Sequence, residues 1–450
     1  MVRPLKIAML CIHSCPLGMP GGRDTGGMNV YIRELAQELG RRRHAVDIYT
    51  MEHQPPHEQI INLGSNVRLI HLKTDAHEEM PKVALYSCLR KFICGVESFR
   101  RSRAIHYDLI HSHYWLSGLV GKQLQSWWRV PHVVMFHTLG AVKNSIGIGE
   151  GETELRIESE RQVVACCHRI IAATEREREE LVRHYGAAAQ KIAVIPCGVN
   201  LDLFKPGDRE AARRELNLDH QKVLLFVGRI DPLKGLDRLL RALKYLNDKQ
   251  PPLLMVVGGD RHSHNQVAAL QRLAGELGIE HCVAFVGAVA HEKLPLFYNA
   301  ADICVIPSYY ESFGMVALES LACGTPIVAA DIGGLRQIVR HSEIGQIAAD
   351  NSVLGLAREL RQFLSGSKSG SKYIDFRRAA IAEFSWTNIA DMILHEYSRL
   401  LLAKGGLATA YESRHAAPLP STARHQKASP GRQPWPVQGI SRSQHSGYHR

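Results

Sequence analysis

The stretch KVLLFVGRIDPLKG, residues 222–235, decides the fold. Its apolar first half predicts a buried strand, and a helical pattern continues from Leu236 to Leu246. The same order begins the chain, where the apolar run Lys6 to Ile12 precedes a helical pattern over Asn29 to Leu39. Strands that are apolar almost throughout are typical of parallel sheets covered by helices on both faces. The sequence therefore predicts two doubly wound α/β domains in tandem.

The length of the chain predicts more than one domain, and a proline-glycine pair indicates where the two domains meet. A chain of 450 residues exceeds what one hydrophobic core usually supports. Pro206 and Gly207 interrupt the pattern shortly before KVLLFV restarts it. We therefore expect an N-terminal domain over 1–203, a C-terminal domain over 204–380, a helix over 381–404 that packs back toward the first domain, and a tail over 405–450.

The tail carries much of the net charge of +11. After Gly405 there are six arginine and lysine residues against the single acid Glu412. A composition rich in Ser, Pro, Gln and His buries too little apolar surface to fold, so we expect disorder. A basic tail can contact RNA or an anionic membrane weakly, but a solvated extension without a specific partner is the favoured interpretation.

Cysteine usage and hydropathy indicate the compartment. The ten cysteines stand at irregular spacings without a CxxC pair, which favours a reducing environment. The apolar run Ile7 to Ile12 is too short for a secretion signal. No stretch approaches the roughly 20 apolar residues that cross a bilayer. We expect a cytoplasmic protein without a transmembrane segment.

Glycines mark the start of the first predicted helix. Gly26 and Gly27 precede Met28 and Asn29 there. Glycines let backbone amides approach an anion at a helix N-terminus, where the helix dipole also favours negative charge. The spacing is not GxGxxG, so the dinucleotide fingerprint is absent. A phosphate contact and a plain flexible turn both remain open.

Histidines end two predicted strands of the first half. His111 and His113 share one face of a strand, but no further ligand stands at metal spacing, so we expect polar side chains that face a cleft. His137 ends the next strand, where it is well placed to contact a substrate. The sequence is equally compatible with a His137 that only forms a structural hydrogen bond.

Charged residues in the second half carry the strongest signal. Arg229 and Lys234 follow a strand on one loop and can neutralise a diphosphate, although a basic surface helix start is the alternative. Glu311 and Glu319 lie eight residues apart in PSYYESFGMVALE (307–319), where they suit sugar or ribose hydroxyls. The same pair could serve as acid and base of a glycoside hydrolase. Ligands of open α/β sheets bind beyond the carboxyl ends of the strands, so we expect these groups in an interdomain cleft.

These segments together resemble the family 4 retaining glycosyltransferases, which have the GT-B fold of two Rossmann-like domains facing across a cleft. Residues 222–319 resemble the nucleotide-sugar domain of that family. Three N-terminal stretches resemble its D-inositol-3-phosphate glycosyltransferase branch in the mycothiol pathway: HSCPLGMPGGRDTGGMNVYIREL (13–35), HSHYWLSG (111–118) and FHTLGAVKN (136–144). The last stretch is also similar to sucrose-phosphate synthases, which keeps a sugar phosphate open as acceptor.

The resemblance implies roles on the donor side. Arg229 and Lys234 would hold the diphosphate, and Glu319 would bind the ribose. The donor sugar would be held by Glu311, Ser312, Phe313, Gly314 and Met315. The Gly27 amide would lie near the diphosphate, and His137 beside the transferred sugar. The residues closest to the chemistry would then be His137, Arg229, Lys234 and Glu311.

The resemblance implies an acceptor pocket in the N-terminal domain. Its walls would be formed by His13, Asp24, Thr25, Gly26, Gly27, Met28 and Asn29, and the acceptor phosphate would be bound by Tyr114, Thr138, Lys143 and Arg156. One position departs from the branch: His77 stands where a phosphate-binding lysine is expected. Histidine is mostly neutral at pH 7, so a different acceptor stays open.

The implied activity is transfer, with retention, of N-acetylglucosamine or glucose from a UDP-sugar to a small phosphorylated polyol or sugar such as inositol 3-phosphate. A sucrose-phosphate synthase-like or a glycan- or lipid-directed glycosyltransferase is the alternative within the family. A glycoside hydrolase, an RNA-binding protein and a sugar-nucleotide epimerase are the alternatives outside it. No cofactor is required, although similar proteins suggest Mg²⁺ near Tyr298. The likeness is compatible with a homodimer.

Overall fold

The computed structural model describes residues 3–18, 25–52, 58–76, 80–219, 221–246, 251–366 and 370–405. Two predicted acceptor residues, Asp24 and His77, lie outside these ranges, as does the predicted tail beyond Gly405. No helix among the described residues is both long enough and apolar enough to span a bilayer.

The first half of the described chain forms an eight-stranded sheet with helices on both faces. The strand order is β3-β4-β2-β1-β5-β6-β7-β8, and the pairs are parallel except for the antiparallel edge pair β3–β4. The elements are β1 (Lys6–Leu10), α1 (Gly27–Arg41), β2 (Ala45–Met51), β3 (Ile60–Gly64), β4 (Val67–Leu72), α2 (Leu89–Ser102), β5 (Leu109–His113), α3 (Trp115–Trp128), β6 (His132–Met135), α4 (Gly140–Ile146), α5 (Glu154–Cys166), β7 (Arg169–Ala172), α6 (Glu175–Tyr185) and β8 (Ile192–Val194).

The second half forms a six-stranded sheet, parallel throughout, in the order β11-β10-β9-β12-β13-β14. Its elements are α7 (Arg209–Glu215), β9 (Val223–Val227), α8 (Leu236–Leu243), β10 (Leu253–Val257), α9 (His264–Leu277), β11 (Val283–Gly287), α10 (Leu294–Ala300), β12 (Ile303–Ile306), α11 (Met315–Ala322), β13 (Ile327–Ala329), α12 (Leu335–Ile338), β14 (Gly345–Ile347), α13 (Val353–Ser365), α14 (Ser371–Ala380) and α15 (Trp386–Gly405). The prediction of two doubly wound α/β domains is confirmed.

Strand alternation explains how each sheet is covered on both faces. In β1, Ile7 joins one hydrophobic cluster and Ala8 joins another on the opposite face. In β9, Val223 and Leu224 divide in the same way. The cluster that contains Ile7 also contains Val223 and residues of α15, so one continuous core joins the two sheets.

The chain crosses between the two sheets at two neighbouring places. Val199 N–H donates to Phe384 O at 2.8 Å, and Val199 also forms an isolated bridge with Ser385. A Cβ at Gly198 would lie 2.5 Å from Cδ2 of Trp386, so the two crossing segments are packed as closely as glycine allows. Helix α15 then returns to the first sheet, where the Tyr397 hydroxyl and His111 Nδ1 lie 2.7 Å apart.

Three elements of the first domain are not evident from the apolar pattern of the sequence. The segment after Lys82 begins as a 3-10 turn at Ala84–Cys88, and α2 follows only from Leu89. Ser87 Oγ donates to Ala84 O at 2.7 Å there, a side-chain bond that competes with regular helix. The edge strand β3 and the short helix α4 were not predicted, because neither has a strong apolar period.

Candidate active site

A cavity of about 310 Å³ lies where loops at the carboxyl ends of both sheets meet. Its volume falls in the range of small-molecule sites. Every predicted site residue that the structure describes contributes to its wall: His13, Thr25, Gly26, Gly27, Met28, Asn29, Tyr114, His137, Thr138, Lys143, Arg156, Arg229, Lys234, Glu311, Ser312, Phe313, Gly314, Met315 and Glu319. Predicted site residues from the N-terminal half and from the C-terminal half of the chain therefore line the same cavity.

The N-terminus of α1 lies at the wall of this cavity. Asn29 holds the entry loop, because its Nδ2 donates to Ser14 Oγ at 2.6 Å and its Oδ1 accepts from Gly26 N–H at 3.1 Å. A Cβ at Gly27 would lie 3.4 Å from Met315 Sδ, in contact with the opposite domain. The first turn of a helix has amides without helical partners, so this end of α1 suits an anion that lies between the domains.

The basic loop after β9 lies on the opposite wall. Arg229 pairs with Asp231 at 3.2 Å, and Lys234 Nζ donates to Glu311 Oε2 at 2.6 Å. Gly235 follows with φ +67°, and a Cβ there would lie 2.1 Å from Pro307 O. The glycine therefore brings the basic loop and the segment before Glu311 into contact. Arg229 and Lys234 carry several N–H donors each, so either cation can bind a diphosphate oxygen in addition to its carboxylate partner.

The segment after Glu311 turns sharply into α11. Gly314 has φ +108°, and a Cβ there would meet Leu335 Cδ2 at 2.6 Å. Phe313 is buried and contacts Phe384 edge to face, with ring centroids 5.8 Å apart. These contacts fix the helix start, so the amides of its first turn lie at the cavity wall.

Glu319 is held by two buried donors. The Tyr298 hydroxyl donates to Oε2 and His291 Nε2–H to Oε1, each at 2.8 Å. Arg33 Nη2 donates to His291 Nδ1 at 3.2 Å, which fixes the imidazole so that Nε2 carries the proton. Each carboxylate oxygen keeps a second lone pair for a ligand hydroxyl. Because Arg33 belongs to α1, the chain Arg33–His291–Glu319 links the two domains at the site.

The expectation of Mg²⁺ near Tyr298 does not fit these groups. Burial, followed by the charge of Glu319, raises the pKa of Tyr298 well above its usual value, so the phenol remains a neutral donor. Among the described residues, no group of three or more His, Cys, Asp or Glu side chains could hold a metal ion.

His137 lies at the centre of the cavity wall in a strained backbone conformation, with φ +62°. Its Nε2 shares a hydrogen bond of 2.9 Å with His113 Nδ1. Burial lowers the pKa of His137 to about 3, so the ring is neutral at physiological pH. The expectation that His111 and His113 face the cleft was wrong: both are fully buried, and His111 bonds to Tyr397 of α15.

Arg156 is the centre of a buried network on the cavity wall that the first domain contributes. Its Nη2 donates to both the carbonyl and the hydroxyl of Thr138 at 2.9 Å, and its guanidinium lies over the Tyr114 ring at 4.8 Å. Its Nε donates to Glu160 Oε1 at 2.8 Å. The side chain of Arg156 is only 1% exposed, but its Nη1 also reaches Glu152 at the cavity wall, 2.7 Å away. Arg156 therefore orients the residues that the resemblance assigned to the acceptor.

Sequence reasoning missed some residues of the wall. Glu152 pairs with both Lys143 and Arg156, His291 orients Glu319, and Lys82 lines the cavity five positions after His77. The basic residue in HEEMPK (77–82) was a visible signal for Lys82. Nothing in the local sequence indicates which partners Glu152 and His291 contact.

Two family profiles together cover most of the chain. That of glycosyltransferase family 4 matches residues 25–203, and that of the glycosyl transferases group 1 matches residues 208–380. The D-inositol 3-phosphate glycosyltransferase of Mycobacteroides abscessus is 40% identical over 412 residues, which cover 89% of this chain and 90% of that protein. The enzyme of the same name from Corynebacterium jeikeium is 38% identical over 406 residues, covering 88% and 97%.

Among solved structures, sucrose-phosphate synthase from Thermosynechococcus elongatus is similar with a TM-score of 0.80 and 32% identity, over 89% of this chain and 100% of that one. These matches select the transferase over the hydrolase, epimerase and RNA-binding alternatives. The two facing α/β domains and the family profiles agree, and the chain belongs to the family 4 glycosyltransferases with the GT-B fold.

Proposed function

We propose that this glycosyltransferase moves N-acetylglucosamine or glucose from a UDP-sugar to a small phosphorylated polyol, inositol 3-phosphate in the first instance, with retention at the anomeric carbon. The names of relatives about 40% identical over most of both chains support this acceptor. With it we propose the domain limits 1–203 and 204–380 and a cytoplasmic location. The homodimer and the contacts of the tail stay predictions.

The observation that carries the proposal is that two separate pairs of basic side chains line one cavity. Arg229 and Lys234 lie on the wall from the second domain, and Lys143 and Arg156 lie on the wall from the first. A hydrolase would need no second anion site. A transferase that joins a nucleotide sugar to a phosphorylated acceptor binds two anions at once, and it must hold their reacting atoms in contact.

The reaction we propose begins with departure of the nucleoside diphosphate. Arg229, Lys234 and the amides at the start of α1 would stabilise the negative charge that develops on the leaving oxygen. Glu311 would hold the sugar while its neighbour Lys234 holds the phosphate, since the two side chains are already paired. Glu319 would accept hydrogen bonds from the ribose hydroxyls in the orientation set by Tyr298 and His291.

Retention requires that the acceptor attack the face from which the diphosphate leaves. The departing phosphate oxygen then lies next to the acceptor hydroxyl and can take its proton, so the mechanism asks no side chain to act as base. His137 is poorly suited to that role, because its pKa of about 3 makes it a weak base. As a neutral ring beside the sugar it can instead form hydrogen bonds without opposing the positive charge of an oxocarbenium-like transition state.

The test is a transfer assay with UDP-, GDP- and ADP-linked glucose and N-acetylglucosamine. Each donor is combined with inositol 3-phosphate, fructose 6-phosphate, unphosphorylated inositol or no acceptor, and the anomeric configuration of the product is read by NMR. We expect transfer from a UDP-sugar to inositol 3-phosphate with retention. Transfer only to fructose 6-phosphate would favour the sucrose-phosphate synthase-like alternative, which the structural similarity to that enzyme supports. An inverted product would refute the mechanism.

A further inference from the structure

The two cations assigned to the acceptor phosphate already share one carboxylate. Glu152 forms ion pairs with Lys143 Nζ and with Arg156 Nη1, the latter at 2.7 Å. All three side chains line the cavity. Burial would raise the pKa of Glu152, but the charges of Arg156 and Lys143 outweigh it and the pKa is lowered, so the carboxylate is ionised at neutral pH. An acceptor phosphate therefore meets an anion at the place where it must bind.

The second carboxylate partner of Arg156 differs from Glu152 in its surroundings. The side chain of Glu160 is 0% exposed, whereas that of Glu152 is 17% exposed at the cavity wall. Glu160 also accepts a hydrogen bond from Gly140 N–H at 3.0 Å and another from the Tyr185 hydroxyl. Glu160 is thus a fixed counterion, and Arg156 would keep a charge partner if Glu152 moved away.

The backbone around Glu152 is held independently of its carboxylate. Asn144 Oδ1 accepts from Glu152 N–H at 2.6 Å, and Asn144 Nδ2 donates to Glu152 O at 2.9 Å. This two-bond clasp closes the loop between α4 and α5. The side chain can therefore change rotamer, or be replaced, while the main chain stays in place.

We propose that Glu152 is an internal competitor for the acceptor phosphate: it occupies Lys143 and Arg156 in the free enzyme and is displaced from them when the phosphate binds. This inference rests on the proposed function. A phosphate monoester carries close to two negative charges at neutral pH and three strong acceptor oxygens, so it can replace one carboxylate on two cations. The hydroxyls of an unphosphorylated polyol are neutral and cannot.

The test compares the wild-type enzyme with Glu152→Gln, which keeps the size of the side chain and removes its charge. We expect the KM for the phosphorylated acceptor to fall about ten-fold, because a competing charge is lost, while the donor KM stays the same. Glu150→Gln is the matched control: it removes an exposed carboxylate two residues away on the same loop and should leave both constants unchanged. Glu152→Asp, which retracts the charge by one methylene, should give a smaller fall.

A second measurement does not depend on the identity of the acceptor. Calorimetry with inorganic phosphate should show tighter binding to Glu152→Gln than to the wild type and to Glu150→Gln. A KM that rises in Glu152→Gln would mean that the carboxylate binds the acceptor directly, and the inference would be overturned. Unchanged phosphate binding would overturn it as well. If the wild type transfers to no phosphorylated acceptor, the proposed function fails, whereas the phosphate titration still decides the role of Glu152.

Discussion

The donor and acceptor walls of the cavity hold their charges in different ways. On the donor wall, Lys234 and Glu311 form one direct pair, and their side chains are 24% and 16% exposed. On the acceptor wall, Arg156 and Glu160 are 1% and 0% exposed and belong to a network with Thr138, Tyr114 and Tyr185. Removing one partner of a buried pair leaves an uncompensated charge, while a partly exposed group is rescued by water. The charges proposed for the donor should therefore serve mainly chemistry, whereas those proposed for the acceptor should also support the fold.

The largest effect should come from Lys234→Ala on the donor wall. Loss of the cation that faces the leaving diphosphate should lower kcat by about 10²- to 10³-fold, by analogy with the loss of other groups that stabilise developing negative charge. The melting temperature should change little, because the remaining carboxylate of Glu311 reaches solvent. The measurement is steady-state kinetics with calorimetry. Lys244→Ala, an exposed lysine of the same domain, serves as control. Near-normal turnover in Lys234→Ala would remove the diphosphate assignment.

Arg156→Gln should lose stability as well as acceptor binding. It leaves Glu160 buried without its cation, which should lower the free energy of unfolding by about 3–5 kcal/mol. Denaturant unfolding measures this, and Arg161→Gln on the exposed face of the same helix should have no measurable effect. Adding Glu160→Gln to Arg156→Gln should recover part of the loss, since both charges are then gone. If the Arg156→Gln protein were as stable as the wild type, the buried charge pair on this wall would not support the fold more than the partly exposed pair on the other wall.

Substitutions of His291 should have a smaller effect, and they should show which of its two hydrogen bonds matters for binding. The side-chain amide of Gln can donate where Nε2 donates to Glu319, whereas the carbonyl of Asn replaces only the Nδ1 acceptor that faces Arg33. His291→Asn should therefore weaken UDP binding about ten-fold, the range of one hydrogen bond to a charged group. His291→Gln should stay within about two-fold, because the donor to Glu319 is kept. Calorimetric titration with UDP measures both, and equal losses would show that orientation of Glu319 is not the role of this residue.

The donor wall was the easier half to predict from sequence. Its groups lie in two short segments, and Glu319 belongs to α11, Met315–Ala322, which begins directly after the turn at Gly314. The basic pair and Glu311 meet because their loops follow β9 and β12, which are adjacent strands of one sheet. Local pattern and sheet topology together are enough to bring such groups into contact.

The acceptor wall could be named only through resemblance, because its contacts join segments far apart in sequence. Arg156 could pair with any nearby acid, and nothing local distinguishes Glu152 from Glu160. The burial of His111 depends on Tyr397, 286 residues later in the chain. Strand alternation predicted which face these histidines share but could not show that α15 covers it.

The paired crossings at Val199 and Phe384 also constrain how the two halves can move. Two chain segments that lie side by side and share a backbone hydrogen bond should resist twisting of one domain against the other more than a single connecting segment would. We therefore expect the two domains to bend most easily about the line through both crossings. Gly198 packs against the indole of Trp386, and this contact holds the two crossing segments together. A donor bound to one domain and an acceptor bound to the other, as proposed above, would then approach along one arc, and the position of the two crossings would set their alignment.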